Sequence, residues 1–256
     1  MNAGRAEAAF WAAFLHNRNV DAVTAGDGAV AVAGGYALFV GNTVINRVGG
    51  AGSTRALRAD DCEVVEGFYG DRHAVARFEL DDDVLERDEA LLRDRGYVDE
   101  GDTLAVLETS TAAGSTAAGS TAAMPVHRTT DRRGWVELVA RSFGDAASET
   151  IRQTLQTNAA AAHVLVVASI AGTEVGAAAL GIAGATAILY CAGVLPGFRR
   201  RGVHHALIAA RLSLASARGA GSAVLKTVPD SPAEHSALKH GFVRTALRRR
   251  VLRASV

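Results

Sequence analysis

Val194-Leu195-Pro196-Gly197-Phe198-Arg199-Arg200-Arg201-Gly202-Val203-His204-His205-Ala206-Leu207 is the stretch on which the reading of this chain turns. Before it, Ala187-Ile188-Leu189-Tyr190-Cys191-Ala192-Gly193-Val194 reads as a strand running into Pro196-Gly197. After it, Val203, Leu207, Ala210 and Leu214 recur at the spacing of one helix face. A strand therefore delivers three arginines and a glycine onto a helix N-terminus. First-turn N–H groups there have no acceptor within the helix, and the dipole presents its positive end, so the loop reads as an anion site. Gly202 lets a bulky anion approach the backbone, while Arg199, Arg200 and Arg201 carry donors suited to phosphate.

Working outward, helices are expected over Asp131–Arg141, with Trp135, Leu138 and Val139 at helical spacing, and over Ala146–Gln156. Strands follow at Val164–Ile170 and Val175–Ile182, joined by Ala171-Gly172-Thr173-Glu174 as a hairpin turn. Beyond the helix that opens at Val203, Gly219 and Gly221 stop it. A strand Ala223–Val228, a helix Pro232–Lys239 and a strand Phe242–Leu252 complete an α/β domain.

The earlier part of the chain repeats this order in outline. Ala6–Leu15 reads as a helix, and Ala29–Ala33, Tyr36–Val40 and Val44–Val48 as strands. Asp60–Gly70 is a helix, His73–Phe78 a strand, Asp83–Arg95 a helix and Asp102–Leu107 a closing strand. Between the halves lies Ser110–Ala123, nearly three copies of a five-residue Ser/Thr/Ala/Gly unit, followed by Met124-Pro125. It carries no charge and no large apolar residue, so it reads as a linker, the alternative being a long loop within one domain. The expected organisation is a domain over 1–109, a linker over 110–125 and a second domain over 126–256, with tandem duplication as the simplest origin.

The second half resembles the GCN5-related N-acetyltransferase (GNAT) superfamily. The family signature is Arg or Gln, two variable residues, Gly, one variable residue, then Gly or Ala, after a strand ending in Val-x-Pro. This chain supplies Val194-Leu195-Pro196, Arg199 and Gly202, and departs from the pattern with His204 at the last position. The late helix closed by Lys239-His240-Gly241-Phe242 is similar too. The first half looks like the degenerate partner of two-domain members: Ser53-Thr54-Arg55 after Gly49-Gly50-Ala51-Gly52 is the best it offers for a pyrophosphate loop, and those glycines read as a bulge or turn. The resemblance implies two tandem GNAT-like domains, α/β (α+β), each a mixed, mainly antiparallel sheet flanked by helices. It implies acetyl-CoA as cosubstrate, held by the second half alone through Arg199, Arg200, Arg201, Gly202, Val203 and His204, with Ala192, Gly193 and Val194 giving backbone groups to the pantetheine and to an oxyanion.

Family mechanism is direct attack by a neutral amine, which needs positioning, a proton acceptor and oxyanion stabilisation. The familiar acid and base are absent: Thr186-Ala187-Ile188 has no carboxylate, and Ser236, Ala237 and Leu238 occupy the window where a tyrosine commonly lies. His163, Glu174, Tyr190 and Cys191 are substitutes whose structural readings are as a strand start, a turn, a packed aromatic and a small core residue. The catalytic residues are thus left unassigned. Adjacent His204 and His205 point in different directions and lack a third ligand at metal spacing, so no metal is expected.

Composition bounds the rest. In 256 residues, 27 basic side chains balance 27 acidic ones, and 49% hydrophobic content is ordinary for a globular chain. Two cysteines make no disulfide framework. The N-terminal residues lack an unbroken apolar run, and the apolar Ala159–Ala185 is broken by His163, Glu174 and glycines, so a cytoplasmic protein with no signal peptide and no membrane span is expected. Divided at Ser110, the neutral total becomes −10 before and +10 after. The expected partner is a small-molecule or amino-acid-like primary amine acetylated by a monomer or homodimer; a non-catalytic acyl-CoA sensor is the alternative. Arg244, Arg248, Arg249, Arg250 and Arg253 could bind nucleic acid, but with little aromatic interleaving the segment reads more simply as an edge strand with solvated arginines, and no nucleic acid is expected as partner.

Overall fold

The computed structural model describes residues 2–17, 26–112, 124–144 and 147–254. The chain forms two compact units, and they do not coincide with the sequence halves. The first comprises Met1–Val106 together with Ala246–Val256, the second Leu107–Thr245.

In the first unit α1 (Ala3–Asn17) precedes β1 (Gly28–Val32), β2 (Gly35–Phe39) and β3 (Arg47–Gly49); α2 (Ala59–Gly70), β4 (Arg77–Asp81), α3 (Asp82–Asp94) and the start of β5 (Tyr97–Ser110) follow. β1, β2 and β3 are antiparallel, and β3 runs parallel to β4 with Val48 opposite Phe78. Val48, Val65, Tyr69, Phe78, Leu80 and Leu92 form its buried core, and the Tyr69 hydroxyl donates to Leu38 O at 2.9 Å. The second unit holds β6 (Val126–Thr129), α4 (Arg132–Ser142), α5 (Glu149–Ala161), β7 (Val164–Ile170), β8 (Thr173–Ala183), β9 (Thr186–Val194), α6 (Val203–Ser216), β10 (Ser222–Thr227) and α7 (Pro232–Leu238). Here β6 through β9 are antiparallel and β9 is parallel to β10. Each unit therefore holds a mixed, mainly antiparallel set of strands, with a parallel step at β3–β4 in the first and at β9–β10 in the second.

The last strand, β11 (Val243–Arg253), corrects a division at residue 126, since from Ala246 onward it belongs to the first unit. There it pairs antiparallel with β4, with Arg248 opposite Asp81, Arg250 opposite Glu79 and Val251 opposite Phe78. Charge and apolar contact act together. Val251 enters the core, while Arg248 meets Asp81 at 2.7 Å, Arg249 meets Asp82 and Asp99 at 3.1 Å, and Arg253 meets Glu66 at 3.0 Å. Arginines read as solvated edge-strand residues are thus paired with carboxylates. Exchange of this segment halves the charge asymmetry: the first unit has 14 basic against 19 acidic side chains, the second 13 against 8.

Other departures are local. Val44-Ile45 is a turn rather than strand, because Asn46 bridges Val40 N at 2.7 Å and Gly41 O at 2.8 Å. The strand expected from His73 starts at Arg77, after a turn in which His73 has φ 51°. Four-residue β6 was not read at all, being too short for a visible period. Of the linker, residues 113–123 lie outside the described residues, as does Ala146 at the expected helix start. Among the described residues no helix is long and apolar enough to cross a membrane.

Candidate active site

The site is built on an irregularity in β9. Ala177 pairs with Gly193 and Ala179 with Tyr190, so Cys191 and Ala192 together oppose the single residue Ala178. That is a β-bulge, and Cys191 takes φ 52° to form it. Ala178 has no partner of its own in β9; its carbonyl accepts from the Trp135 indole of α4 at 3.2 Å. A glycine follows the bulge for a steric reason, since a Cβ on Gly193 would overlap Ser142 Oγ and approach Ser142 Cβ at 2.8 Å. Just ahead of the bulge β9 parts from its parallel neighbour, β10. Their register runs from Thr186 and Ser222 to Leu189 and Leu225 and stops there, so the ends of the two strands splay.

Into this opening the chain turns through a 3-10 segment, Pro196–Phe198, and then the arginine loop. Arg199 Nη2 donates to Ser142 O at 2.8 Å and its Nε to Val194 O at 3.4 Å, pinning the loop to α4 and to β9. Arg200 has φ 59° and is exposed; Arg201 lies over the Phe198 ring at 5.3 Å. Gly202 is the helix N-cap of α6 in the left-handed region, φ 79°, with open space where a Cβ would stand and no side chain on the cap. No acidic residue occupies the first turn of α6, so its amides face the opening uncompensated.

These elements line one cleft of about 850 Å³. Of the nine residues assigned from sequence, eight line it: Ala192, Gly193, Val194, Arg199, Arg200, Gly202, Val203 and His204. Arg201 does not, being turned onto Phe198. His204, which stands where the signature has a small residue, is half-buried, and burial with nearby Arg211 holds its imidazole down to about 4, so the ring is neutral. Its Nδ1 is buried without a hydrogen-bond partner among the described residues. His205 stacks on His240 with ring centroids 3.8 Å apart.

The substitutes for acid and base fall elsewhere. Glu174 is exposed near the start of β8, 3.7 Å from His127. His163 Nδ1 accepts from Ile182 N at 3.3 Å, at the start of β7. Tyr190 donates to Asn158 O at 3.1 Å, and the Cys191 thiol accepts from Asn158 Nδ2 at 3.3 Å. Burial pushes the Cys191 thiol up to about 12, which leaves it protonated and unreactive. None of the four lines the cleft. Sequence reading missed Phe143 and Val228, both on its wall; each is a large apolar side chain more than 60% exposed, a feature with no one-dimensional signature. It also missed Ser231 and Lys239, which α7 and its cap bring in. Among the described residues no group of three or more His, Cys, Asp or Glu is placed to hold a metal ion.

The equivalent place in the first unit is closed. A Cβ on Gly50 would meet the backbone of Arg5 and Gly4 O at 2.9 Å, so α1 lies directly on that turn. Arg55, the arginine that follows this turn in the chain, is held by Asp61 at 2.6 Å, and Asp60 and Asp61 sit in the first turn of α2, where the second unit has a bare N-terminus.

Comparisons with known proteins agree with this geometry. Residues 132–242 match the Acetyltransferase (GNAT) family model. A GCN5-related N-acetyltransferase from Kribbella flavida superposes with a TM-score of 0.69, covering 98% of this chain and 96% of that one at 15% identity. A tandem GNAT protein from the clavulanic acid biosynthesis pathway gives 0.60, covering 88% and 81% at 14% identity. A GCN5-related N-acetyltransferase from Sphaerobacter thermophilus gives 0.53 at 16% identity, over 77% and 68%. No curated protein sequence matches the chain. Residues 132–242 of the second unit are thus similar to the GNAT family, and the chain shares the fold of these solved structures, a tandem GNAT protein among them.

Proposed function

We propose that the second unit binds acetyl-CoA in the cleft and transfers the acetyl group to a primary amine of a small molecule or amino-acid-like acceptor. The observation that carries this reading is the coincidence, in one cleft, of the splayed β9 and β10 ends with the uncapped N-terminus of α6 beneath Arg199 and Arg200. The cleft fits the ligand chemically: amides and guanidinium groups at one end suit a pyrophosphate, and Phe143, Phe198 and Val228 offer apolar wall. When bound, acetyl-CoA supplies an activated thioester carbonyl. The amides of Ala192, Gly193 and Val194 orient that carbonyl and stabilise charge developing on its oxygen. Direct attack is favoured over an acyl-enzyme because the cysteine beside these amides is held protonated.

A second reading, a sensor that binds acyl-CoA without turnover, is favoured by one fact: no Asp, Glu or Tyr of the described residues lines the cleft. Calorimetry with acetyl-CoA tests the first step, and Gly202→Glu, which puts a carboxylate at the α6 N-terminus, is expected to abolish binding. Undiminished binding by that variant would remove the assignment. Thiol release measured over a panel of primary amines then separates enzyme from sensor.

A further inference from the structure

The apolar stripe of α6 contains an arginine. Val203, Leu207 and Arg211 lie four apart on one helix, and Arg211 is only 2% exposed. Its Nε donates to Leu207 O at 3.0 Å, and its Nη1 to Ala179 O at 3.2 Å and Tyr190 O at 3.4 Å. No carboxylate among the described residues pairs with it, and burial lowers its pKa to about 9, which still leaves it charged at neutral pH. A buried cation without a counter-ion is costly, and a leucine or methionine would continue the stripe without that cost. Stability alone therefore gives no reason for the guanidinium.

Its partners supply one. Ala179 and Tyr190 are the last regular pair of β8 and β9 before the bulge, and the next residues of β9 are Cys191, Ala192 and Gly193. From the opposite side of the sheet Trp135 holds Ala178 O, the carbonyl opposite the bulge. The sides are opposite because a Cβ on Gly176 would meet Val203 and Leu207 of α6, whereas Ala177 and Ala179 pack with Trp135. Indole and guanidinium thus fix the bulge between them. We infer that Arg211 is a positioning residue for acyl transfer: it clamps the strand pair that aims the Ala192–Val194 amides, and it places a fixed positive charge behind them. An oxyanion forming at those amides meets that field in a water-poor interior, where it is screened little. Absence of a neutralising carboxylate is what this role requires, and it accounts for a residue that breaks the local packing rule.

The inference rests on the acetyl-CoA reading of the cleft, and one set of measurements distinguishes the two. The probe is acetyl-CoA carrying ¹³C at the acetyl carbonyl, observed by isotope-edited infrared difference spectroscopy, with desacetyl-CoA affinity and thermal unfolding measured alongside. Bound to the wild type, the carbonyl stretch is expected to move to lower wavenumber than in water. Arg211→Lys is expected to retain most of that displacement. Arg211→Met is expected to lose at least half of it while binding desacetyl-CoA within about threefold of wild type and melting no lower. If the methionine variant does not fold, Arg211→Gln, which keeps a donor without the charge, provides the comparison. An equal displacement in the uncharged variant, or a loss in Arg211→Lys as large as in Arg211→Met, overturns the inference and leaves the acetyl-CoA reading standing. Failure of the wild type to bind acetyl-CoA overturns both.

Discussion

Arg248 and Glu79 stand 169 positions apart in the chain and meet inside the first unit, Nη1 to Oε1 at 3.4 Å, with side chains 3% and 1% exposed. Asp81 and Glu7 complete the guanidinium's surroundings at 2.7 and 3.4 Å. Glu79 also meets Arg47 at 3.1 Å and Arg250 at 3.4 Å, so removing Arg248 takes one cation out of a buried cluster and leaves the carboxylates of Glu7, Glu79 and Asp81 short of positive charge. Arg248→Met is therefore expected to destabilise the protein by about 3–5 kcal/mol in urea unfolding, and Arg248→Met with Glu79→Gln to recover part of that loss. A cost below about 1 kcal/mol for the single variant would contradict the arrangement.

Gly193 is expected to tolerate no side chain. Gly193→Ala sets a methyl group against Ser142 Oγ, and overpacking of this kind costs about 1–3 kcal/mol. Pairing it with Ser142→Gly relieves the overlap, so a double-mutant cycle should show favourable coupling. Additive effects would mean that the strand shifts instead of clashing.

Neither cysteine should behave as a nucleophile. Burial raises the Cys62 thiol to about 11 and the Cys191 thiol to about 12. Reaction with a disulfide reagent at pH 7.5 is expected to be slow in the folded protein and fast in urea, and Cys191→Ala should bind acetyl-CoA as the wild type does. Rapid labelling of the native protein would reopen an acyl-enzyme route.

His204 and His240 give a pH dependence with a definite sign. Burial above all holds both near 4 in the folded state, against 6.5 ordinarily. Between those values the unfolded chain binds protons that the folded chain refuses, so stability falls as pH falls from about 6.5 to about 4, and the histidine contribution levels off below that. A loss on the order of 1 kcal/mol per pH unit is expected from urea unfolding across that window. His240→Gln, which can still donate to His205 O, should flatten the slope; an unchanged slope would count against buried neutral histidines.

What the sequence showed and hid follows from the range of the interactions. The arginine loop was legible because its parts are neighbours in the chain: a strand end, a Pro-Gly turn, three arginines, a glycine and a helix periodicity. The bulge was not, since it depends on Ala178 facing two residues of another strand. Arg211 went unread because three-residue spacing put Ala210 on the apolar face, one position away from the residue that points into the core. Arg248, Arg249 and Arg250 looked solvent-bound because their carboxylate partners lie about 150 positions or more earlier in the chain, whereas Arg244 pairs with nearby Glu234 and Asp230.

The seating of Ala246–Val256 in the first unit also sets an order of events during synthesis. That unit's sheet includes a strand made only after the whole of the second unit, so its central ion pairs wait for roughly 150 further residues, about 7–30 s of translation at about 5–20 residues per second. Through that interval Glu79 and Asp81 face a missing neighbour on the nascent chain. The earlier-made domain is thus the later one to finish, and ribosome pausing near the C-terminal codons would prolong the exposure of its unpaired β4 edge.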